Sequence, residues 1–190
     1  MTKGHTKGSA FERQIAKELS LWWSNGLYDD WFWRSTTSGA RATQRGKQNQ
    51  ATFGQYGDIQ ATHPKGRSLL ELVVIEIKRG YNHTCIYDML DAKPDAATQI
   101  FEQWILQVTE ECLAAEVPYW FLITKRDRRN TMIFLPSELL STLCKISVPR
   151  QALHPYSLFC FPLRRVYGLP LDVFFQVVKP HHMETIRRLP

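Results

Sequence analysis

The sequence predicts an α/β fold, a central mixed β-sheet flanked by helices. Helical periodicity and strand-like segments alternate along the chain in the order helix, strands, helix, strands. The chain has 190 residues, 44% of them hydrophobic, which is enough for one globular domain with a substantial core. No repeat or clear linker divides it, so we expect a single domain over residues 1–180.

The first helix is predicted to begin at Ser9. Ser9 and Glu12 match a capping box, with Ser9 as the N-cap and Glu12 three residues later. Apolar residues then recur at helical spacing: Phe11, Ile15, Leu19 and Trp22. Asn25 and Gly26 end the pattern.

A short aromatic strand is predicted at residues 31–34, followed by a long polar segment at residues 35–57 that has almost no aliphatic side chains. A polar connection of this length in a compact domain is usually functional or disordered. Two strands, at residues 58–62 and 69–78, then flank a turn at residues 63–67, and we interpret them as a β-hairpin.

The second half of the chain predicts a helix at residues 96–115, which Pro118 ends. Its inward face carries Ile100, Trp104, Gln107, Val108 and Cys112. Strands at residues 119–124 and 131–135 flank a charged turn at residues 125–130, and a short helix opens at residue 136. The predicted core covers residues 7–136, residues 137–180 form a C-terminal extension, and residues 181–190 are interpreted as a basic tail that includes His181 and His182.

The charge balance favours an anionic partner such as nucleic acid. There are 24 Lys and Arg residues against 18 Asp and Glu residues, a formal charge of +6. The four cysteines are far apart and form no CxxC pair, which argues against a zinc knuckle or a disulfide framework. With no apolar leader and no membrane-length apolar run, we expect a soluble protein of the cytoplasm.

The segment VVIEIKRG, residues 73–80, is a buried strand with two ionisable groups near its end. Strand alternation places Val74, Glu76 and Lys78 on one face and the remaining apolar residues on the other. An exposed edge with a cross-strand salt bridge would explain a Glu-x-Lys pair by itself. A polar cleft at the end of the strand is the alternative.

Asp58 turns this strand into a candidate metal site. In an antiparallel hairpin the start of the first strand lies beside the end of the second, so Asp58 could reach Glu76. Two carboxylates form a hard, oxygen-rich site that suits Mg²⁺. The Lys78 ammonium could orient or help deprotonate a water, or stabilise charge on a phosphate. Glu12 would add a third carboxylate if the first helix packs near this end.

These motifs resemble those of the PD-(D/E)xK nuclease superfamily. The resemblance rests on Gly57-Asp58-Ile59, on the IEIK segment at residues 75–78 and on a preceding Glu-bearing helix, and it covers residues 7–125. KGSAFERQIAKEL and WRSTTSGARAT are most like the Holliday junction resolvase-like branch and related phage nucleases. The chain departs from the pattern in having Gly57 in place of proline, a long polar loop and the C-terminal extension.

The resemblance implies a restriction-endonuclease-like core and a set of roles. Asp58, Glu76 and the Ile77 carbonyl would hold Mg²⁺, with Mn²⁺ as a substitute, and Lys78 would assist hydrolysis of a phosphodiester. Glu12 would complete or tune the site, although a capping role alone would also explain it. The superfamily's active-site glutamine corresponds to Gln99 or Gln103, of which we prefer Gln99.

Cations in or beside the polar loop are the predicted DNA contacts: Arg34, Arg41, Arg45 and Lys47. A solvated loop is the competing interpretation, and the charged turn at residues 125–129 is a secondary candidate.

We therefore predict a Mg²⁺-dependent DNA endonuclease, whether junction-resolving, restriction-like or a phage DNA-processing enzyme. It would act in a bacterial or phage-infected cell. Cutting both strands is simplest with two related sites, which a homodimer would provide. A non-catalytic nucleic-acid-binding module on the same fold is the rival, and an α/β protein whose Glu76 and Lys78 merely pair with neighbours is the third alternative.

Overall fold

A computed structural model describes residues 3–35, 56–84, 88, 93, 97–146, 148–149 and 166–189. Most of the long polar loop, including Arg41, Arg45 and Lys47, lies outside the described residues. The helices are α1 (Lys3–Trp23), α2 (Pro64–Leu70), α3 (Ile100–Ala114), α4 (Ser137–Lys145), α5 (Leu171–Val177) and α6 (Pro180–Arg187). The strands are β1 (Phe32–Arg34), β2 (Ile59–Ala61), β3 (Val73–Arg79), β4 (Tyr119–Lys125), β5 (Met132–Pro136) and β6 (Val166–Pro170).

A four-stranded mixed sheet with the order β3-β4-β5-β6 forms the centre of the fold. Strands β3 and β4 are parallel, whereas β4, β5 and β6 are successively antiparallel. Strands β1 and β2 form a separate antiparallel pair. This arrangement confirms the predicted mixed sheet with helices.

Both faces of β3 are buried, and the predicted alternation decides what each face contacts. Val73, Ile75 and Ile77 belong to the larger apolar cluster with α1, whereas Val74 belongs to a second cluster with the apolar face of α3. Glu76 and Lys78 share the Val74 face, so they point towards the side of the sheet that α3 covers. Helix α3 begins later than predicted, and Ile100 at its start is 45% exposed.

Helix α1 corrects the predicted capping box. The helix begins at Lys3, so Ser9 and Glu12 lie inside it, where backbone N–H groups can bond to carbonyls one turn earlier. The predicted end is confirmed. Asn25 and Gly26 have φ angles of 55° and 86°, and the Gly26 N–H donates to the Leu21 carbonyl over 2.6 Å.

The predicted hairpin at residues 58–78 is wrong. Strand β2 pairs with β1, and helix α2 connects it to β3. His63 is the N-cap of α2 and its Nδ1 accepts a hydrogen bond from the Lys65 N–H, while Pro64 occupies the first turn. Gly66 is explained by packing and not by a turn, because a Cβ there would lie 3.0 Å from the Trp31 carbonyl oxygen.

The C-terminal extension belongs to the same sheet and core. Strand β6 adds to β5 in register, with Phe134 opposite Gly168. The segment interpreted as a basic tail instead forms α6, which buries Met183 and Ile186 in the larger cluster. Met183 and Ile186 are three residues apart, so they lie on one face of α6, and burying that face stabilises the packing of the helix against the core. Within the described part of the chain, no helix combines the length and apolar character needed to cross a bilayer.

Candidate active site

The site is built on the free edge of β3. The Asp58 N–H donates to the Ile75 carbonyl over 2.8 Å, and the Ile77 N–H donates to Asp58 Oδ2 over 2.8 Å. Strand β4 occupies the other edge of β3, so Asp58 bonds to backbone groups of β3 that have no partner on a described strand. Because the N–H and C=O of one residue point to the same edge of a strand, the Ile77 carbonyl lies on the edge that Asp58 covers.

Gly57 allows this close approach. Its φ is +76°, in the left-handed region, and a Cβ at this position would lie 2.5 Å from the Ile75 carbonyl oxygen. Only glycine fits both the backbone angle and the contact. The Gly-Asp dipeptide is therefore a steric requirement for bringing the Asp58 carboxylate to β3.

Glu76 is the centre of a buried hydrogen-bond network. Glu76 is 3% exposed, and its Oε1 accepts hydrogen bonds from Lys78 Nζ over 2.5 Å and from Gln107 Nε2 over 3.0 Å. Lys78 Nζ also donates to Gln107 Oε1 over 3.0 Å, and Gln107 Nε2 also donates to Glu111 Oε1 over 3.0 Å. The network fixes the direction of the Gln107 amide, with its carbonyl towards Lys78.

Glu12 approaches the same place from α1. Its Oε2 accepts from Arg34 Nε over 3.0 Å, and both side chains are partly buried. Helix α1 therefore packs near the end of the sheet, which was the condition for Glu12 to add a third carboxylate. Arg34, a predicted nucleic-acid contact, is held by this ion pair.

These groups line one open cleft of about 330 Å³. The acidic and network residues on its wall are Glu12, Asp58, Glu76, Lys78, Gln107 and Glu111. Arg79 and Tyr81 also line it, and the Tyr81 ring contacts Trp104 edge-on with 4.7 Å between centroids. The end of β3 therefore opens into a polar cleft, as one of the two interpretations of the sequence predicted.

Burial and like charge make the carboxylates hold protons strongly. Burial, and then the neighbouring charge of Glu76, raises the pKa of Asp58 to about 8 despite the Ile77 hydrogen bond. Burial also raises the pKa of Glu76, although Lys78 opposes this effect. Burial alone would lower the pKa of Lys78, but the charge and hydrogen bond of Glu76, together with smaller effects that include the charge of Asp58, outweigh burial and raise the pKa. Lys78 is therefore an ammonium ion at neutral pH.

The donor set suits a hard divalent cation. The available atoms are carboxylate oxygens of Asp58 and Glu76 and the Ile77 carbonyl oxygen, and Asp58 Oδ1 bonds to no described residue. Among the described residues, no group of three or more His, Cys, Asp or Glu side chains is placed to share a metal ion. Mg²⁺ is commonly bound through one or two carboxylates while it keeps several waters, so the pair is sufficient.

The structure brings together most, but not all, of the residues singled out from the sequence. Glu12, Asp58, Glu76, Ile77 and Lys78 line the cleft. Gln99 does not join them, because it is the N-cap residue of α3 and its side chain donates to the Ala97 carbonyl. Gln103 Nε2 likewise donates to the Thr98 carbonyl.

Gln107 occupies the place expected of Gln99. It lies eight residues further along α3, about 12 Å along the helix axis at 1.5 Å per residue. Its signal in the sequence was a polar amide on the apolar face of the helix, beside Trp104 and Val108. Glu111 follows one turn later and was missed because nothing in its local sequence distinguishes it from a solvated helix residue.

Glu76 and Lys78 lie on the edge strand β3, and Asp58 is hydrogen-bonded to that edge, which is the motif arrangement that the PD-(D/E)xK resemblance implied. The family model described as "Phage putative PDDEXK endonuclease" matches residues 3–154, well over half of the chain, and the protein belongs to this family. No curated protein and no solved structure matches the chain.

Replacing Gly57 by alanine should destabilise the fold, because the new Cβ would collide with the backbone of β3. We expect a loss of more than about 2 kcal/mol in the free energy of unfolding, measured by denaturant titration. Gly26→Ala is the matched control. Gly26 also has a positive φ, but nothing lies within 4 Å of its Cβ position. Equal losses in the two variants would contradict the proposed collision.

The stability of the metal-free protein should fall with rising pH. Asp58 ionises near pH 4 in the unfolded chain but near 8 in the folded chain. The folded state therefore binds the extra proton between these values, and stability is lost as the pH rises towards 8, by up to about 1.4 kcal/mol per pH unit.

Asp58→Asn should reduce this pH dependence to the part that Glu76 contributes, because the introduced amide can still accept the Ile77 N–H bond through its oxygen but cannot ionise. Denaturant titrations in EDTA at about pH 5 and about pH 7 measure the effect. The variant should be more stable than the wild type at the higher pH. Parallel pH dependences in the two proteins would show that Asp58 ionises normally.

Proposed function

We propose that this protein is a Mg²⁺-dependent endonuclease that hydrolyses DNA phosphodiester bonds. One observation carries the proposal: Asp58 and Glu76 are buried side by side with Lys78 at the edge of β3, where a cleft opens. Buried charged groups are unfavourable unless a partner or an ion compensates them. Membership of a phage endonuclease family supports the same conclusion.

Asp58, Glu76 and the Ile77 carbonyl would hold the cation, with Mn²⁺ as a substitute for Mg²⁺. The bound cation would polarise the phosphate and favour a hydroxide nucleophile at neutral pH. The two carboxylates are held by the strand backbone and by the Lys78–Gln107 network, so they would need little reorganisation. Glu12 would tune the site by its charge, which contributes to the raised pKa of Asp58.

Lys78 would act as a fixed positive charge. Its raised pKa argues against a role as the base that deprotonates water. As an ammonium ion it can orient a water and stabilise negative charge that develops on the phosphate. Gln107 holds the ammonium in the cleft through its carbonyl oxygen.

The substrate and assembly are further parts of the proposal. Arg41, Arg45 and Lys47 of the polar loop would contact the DNA backbone, and Arg34 would link that loop to Glu12. Processing of phage DNA, including resolution of branched junctions, fits the family and the resemblance of the first helix. A homodimer would supply the second site needed to cut both strands.

Loss of either carboxylate should remove cleavage but not folding. Asp58→Asn and Glu76→Gln each lose a charged metal ligand, worth several kcal/mol of transition-state stabilisation, so the rate should fall by about 10²–10³-fold or more. Linear, single-stranded, flapped and four-way DNA should be assayed with Mg²⁺, Mn²⁺ or EDTA. Thr109 lies on the same helix as Gln107, and its hydroxyl donates to the Ile105 carbonyl of that helix, so Thr109→Ala is a control that should cleave normally.

Metal-independent cleavage, or full activity of either carboxylate variant, would remove this site from consideration. Binding of DNA without cleavage under any metal condition would instead identify a non-catalytic binding module on the same fold.

Lys78→Ala should lower the rate of the chemical step, by about 10²-fold, more than it lowers metal affinity. Lys78→Arg should recover part of the rate because it restores the charge, although its guanidinium is larger and cannot reproduce the ammonium geometry. Single-turnover kinetics across a metal titration separate the two effects. A variant that cleaves normally at saturating metal would assign Lys78 to structure alone.

A further inference from the structure

The connection between β4 and β5 carries three arginines in four residues. We call residues 126–129 the arginine turn. Arg126, Arg128 and Arg129 are exposed, and none of them has an ion-pair partner among the described residues. They line a shallow cleft of about 370 Å³ together with Asn130 and Thr124. Three exposed guanidinium groups within four residues give this turn a local positive potential that attracts anions.

The one acidic residue of the turn does not neutralise the arginines, because it faces the protein. Asp127 Oδ2 accepts from Asn82 Nδ2 over 3.1 Å, and the Asp127 N–H donates to Asn82 Oδ1 over 2.7 Å. Asp127 Oδ1 also lies 3.5 Å from Arg79 Nη2. The carboxylate thus ties the arginine turn to the segment that follows β3.

The arginine turn lies at the same end of the sheet as the carboxylates. Strands β3 and β4 are parallel and Arg79 is opposite Lys125, so the turn begins one strand spacing, about 4.8 Å, from the end of β3. The Gly80 N–H also donates to the Lys125 carbonyl over 3.2 Å. The turn and the active-site cleft are therefore held together by backbone as well as side-chain bonds.

Arg79 connects the two regions. It lines the active-site cleft and contacts Asp127, and its Nε is buried without a hydrogen-bond partner among the described residues. A buried donor without an acceptor costs about 1–3 kcal/mol. The Arg79 guanidinium also lies over the Phe11 ring, with its Cζ 5.4 Å from the ring centroid, so its positive charge is held beside both the cleft and the arginine turn.

Arg128 has a backbone conformation that its side chain does not favour. Its φ is +60°, in the left-handed region where glycine and asparagine are common. The i to i+3 bond from the Arg129 N–H to the Arg126 carbonyl closes a tight turn around it. Glycine adopts this angle at lower cost, so replacing Arg128 by glycine removes the guanidinium without straining the turn.

We propose that the arginine turn binds the phosphate backbone of the nucleic acid whose cleaved bond lies in the active-site cleft. The inference rests on the proposed nuclease function and adds the surface that holds the substrate next to the carboxylates. Exposed, unpaired guanidinium groups recognise phosphate oxygens with two parallel hydrogen bonds. Contacts of this kind position a strand without reading its sequence.

The test is a salt series of binding measurements in EDTA, where cleavage is prevented. The full-length protein and the variant Arg126→Ala/Arg128→Gly/Arg129→Ala are titrated against a labelled duplex and a labelled single strand. Each lost phosphate contact reduces the log–log slope by about 0.9 on duplex DNA and about 0.7 on a single strand. We expect weaker binding and a slope shallower by about 2–3 on duplex DNA.

A charge-matched control removes three exposed cations elsewhere, with Lys65→Ala, Arg67→Ala and Arg188→Ala. Lys65 and Arg67 lie on α2, which precedes the opposite end of β3, and Arg188 follows α6, which contacts α2. This variant should keep most of the wild-type slope. Equal losses in the two triple variants would assign the effect to net charge and overturn the inference.

The single variant Arg128→Gly separates binding from stability. It relieves the positive φ, so its thermal midpoint should be unchanged or higher, while the log–log slope of its salt dependence should become shallower by about 0.9 on duplex DNA. A variant that is stable and binds with the wild-type slope would overturn the role of Arg128.

Two outcomes separate this inference from the proposed nuclease function. If the wild-type protein cleaves DNA and the triple turn variant binds DNA normally, the inference alone is overturned. A wild-type protein that neither binds nor cleaves would overturn the proposed function as well.

Discussion

The hydrogen bonds between Asp58 and the edge of β3 are the constraint on which the rest of the site depends. The Asp58 backbone bonds to Ile75 and its side chain accepts from Ile77, so one residue satisfies the strand edge and places a carboxylate beside Glu76. Unpaired strand edges are open to pairing with other chains, and a short covering segment prevents this. The contact of Asp58 with Ile75 and Ile77 therefore both covers the edge of β3 and brings the two carboxylates together.

The hydrogen-bond network around Glu76 offsets part of the unfavourable free energy of burying its charge. Asp58 and Glu76 are both buried, and the negative charge of Glu76 raises the cost of ionising Asp58. Lys78 and Gln107 compensate Glu76, whereas Asp58 receives one backbone hydrogen bond. An α/β core without a function at this position would be more stable with apolar residues, so the retained charges point to chemistry.

The sequence predicted the charged part of the site better than the segments that carry it. Strand alternation is a local rule, so the shared face of Glu76 and Lys78 could be derived from residues 73–80 alone. The hairpin was wrong because Pro64 and Gly66 were interpreted as turn residues. Pro64 opens α2, and Gly66 is required by a contact with Trp31 that is distant in sequence.

Other errors have the same origin in tertiary contacts. Ser9 and Glu12 match a capping box, but the helix continues to Lys3, and Glu12 pairs with Arg34 instead. Gln107 could be distinguished from Gln99 only by knowing where α3 begins and which turn of it passes Lys78. The segment at residues 181–190 looked like a tail because its polar side chains outnumber its two apolar anchors, Met183 and Ile186.

The central claim is that Asp58, Glu76 and the Ile77 carbonyl form one cation site. Anomalous diffraction from crystals of the wild-type protein soaked in Mn²⁺ tests it most directly. The account predicts a peak in contact with one oxygen of each carboxylate and with the Ile77 carbonyl oxygen. Mn²⁺ bound elsewhere, with no contact to either carboxylate or to the Ile77 carbonyl, would contradict the account.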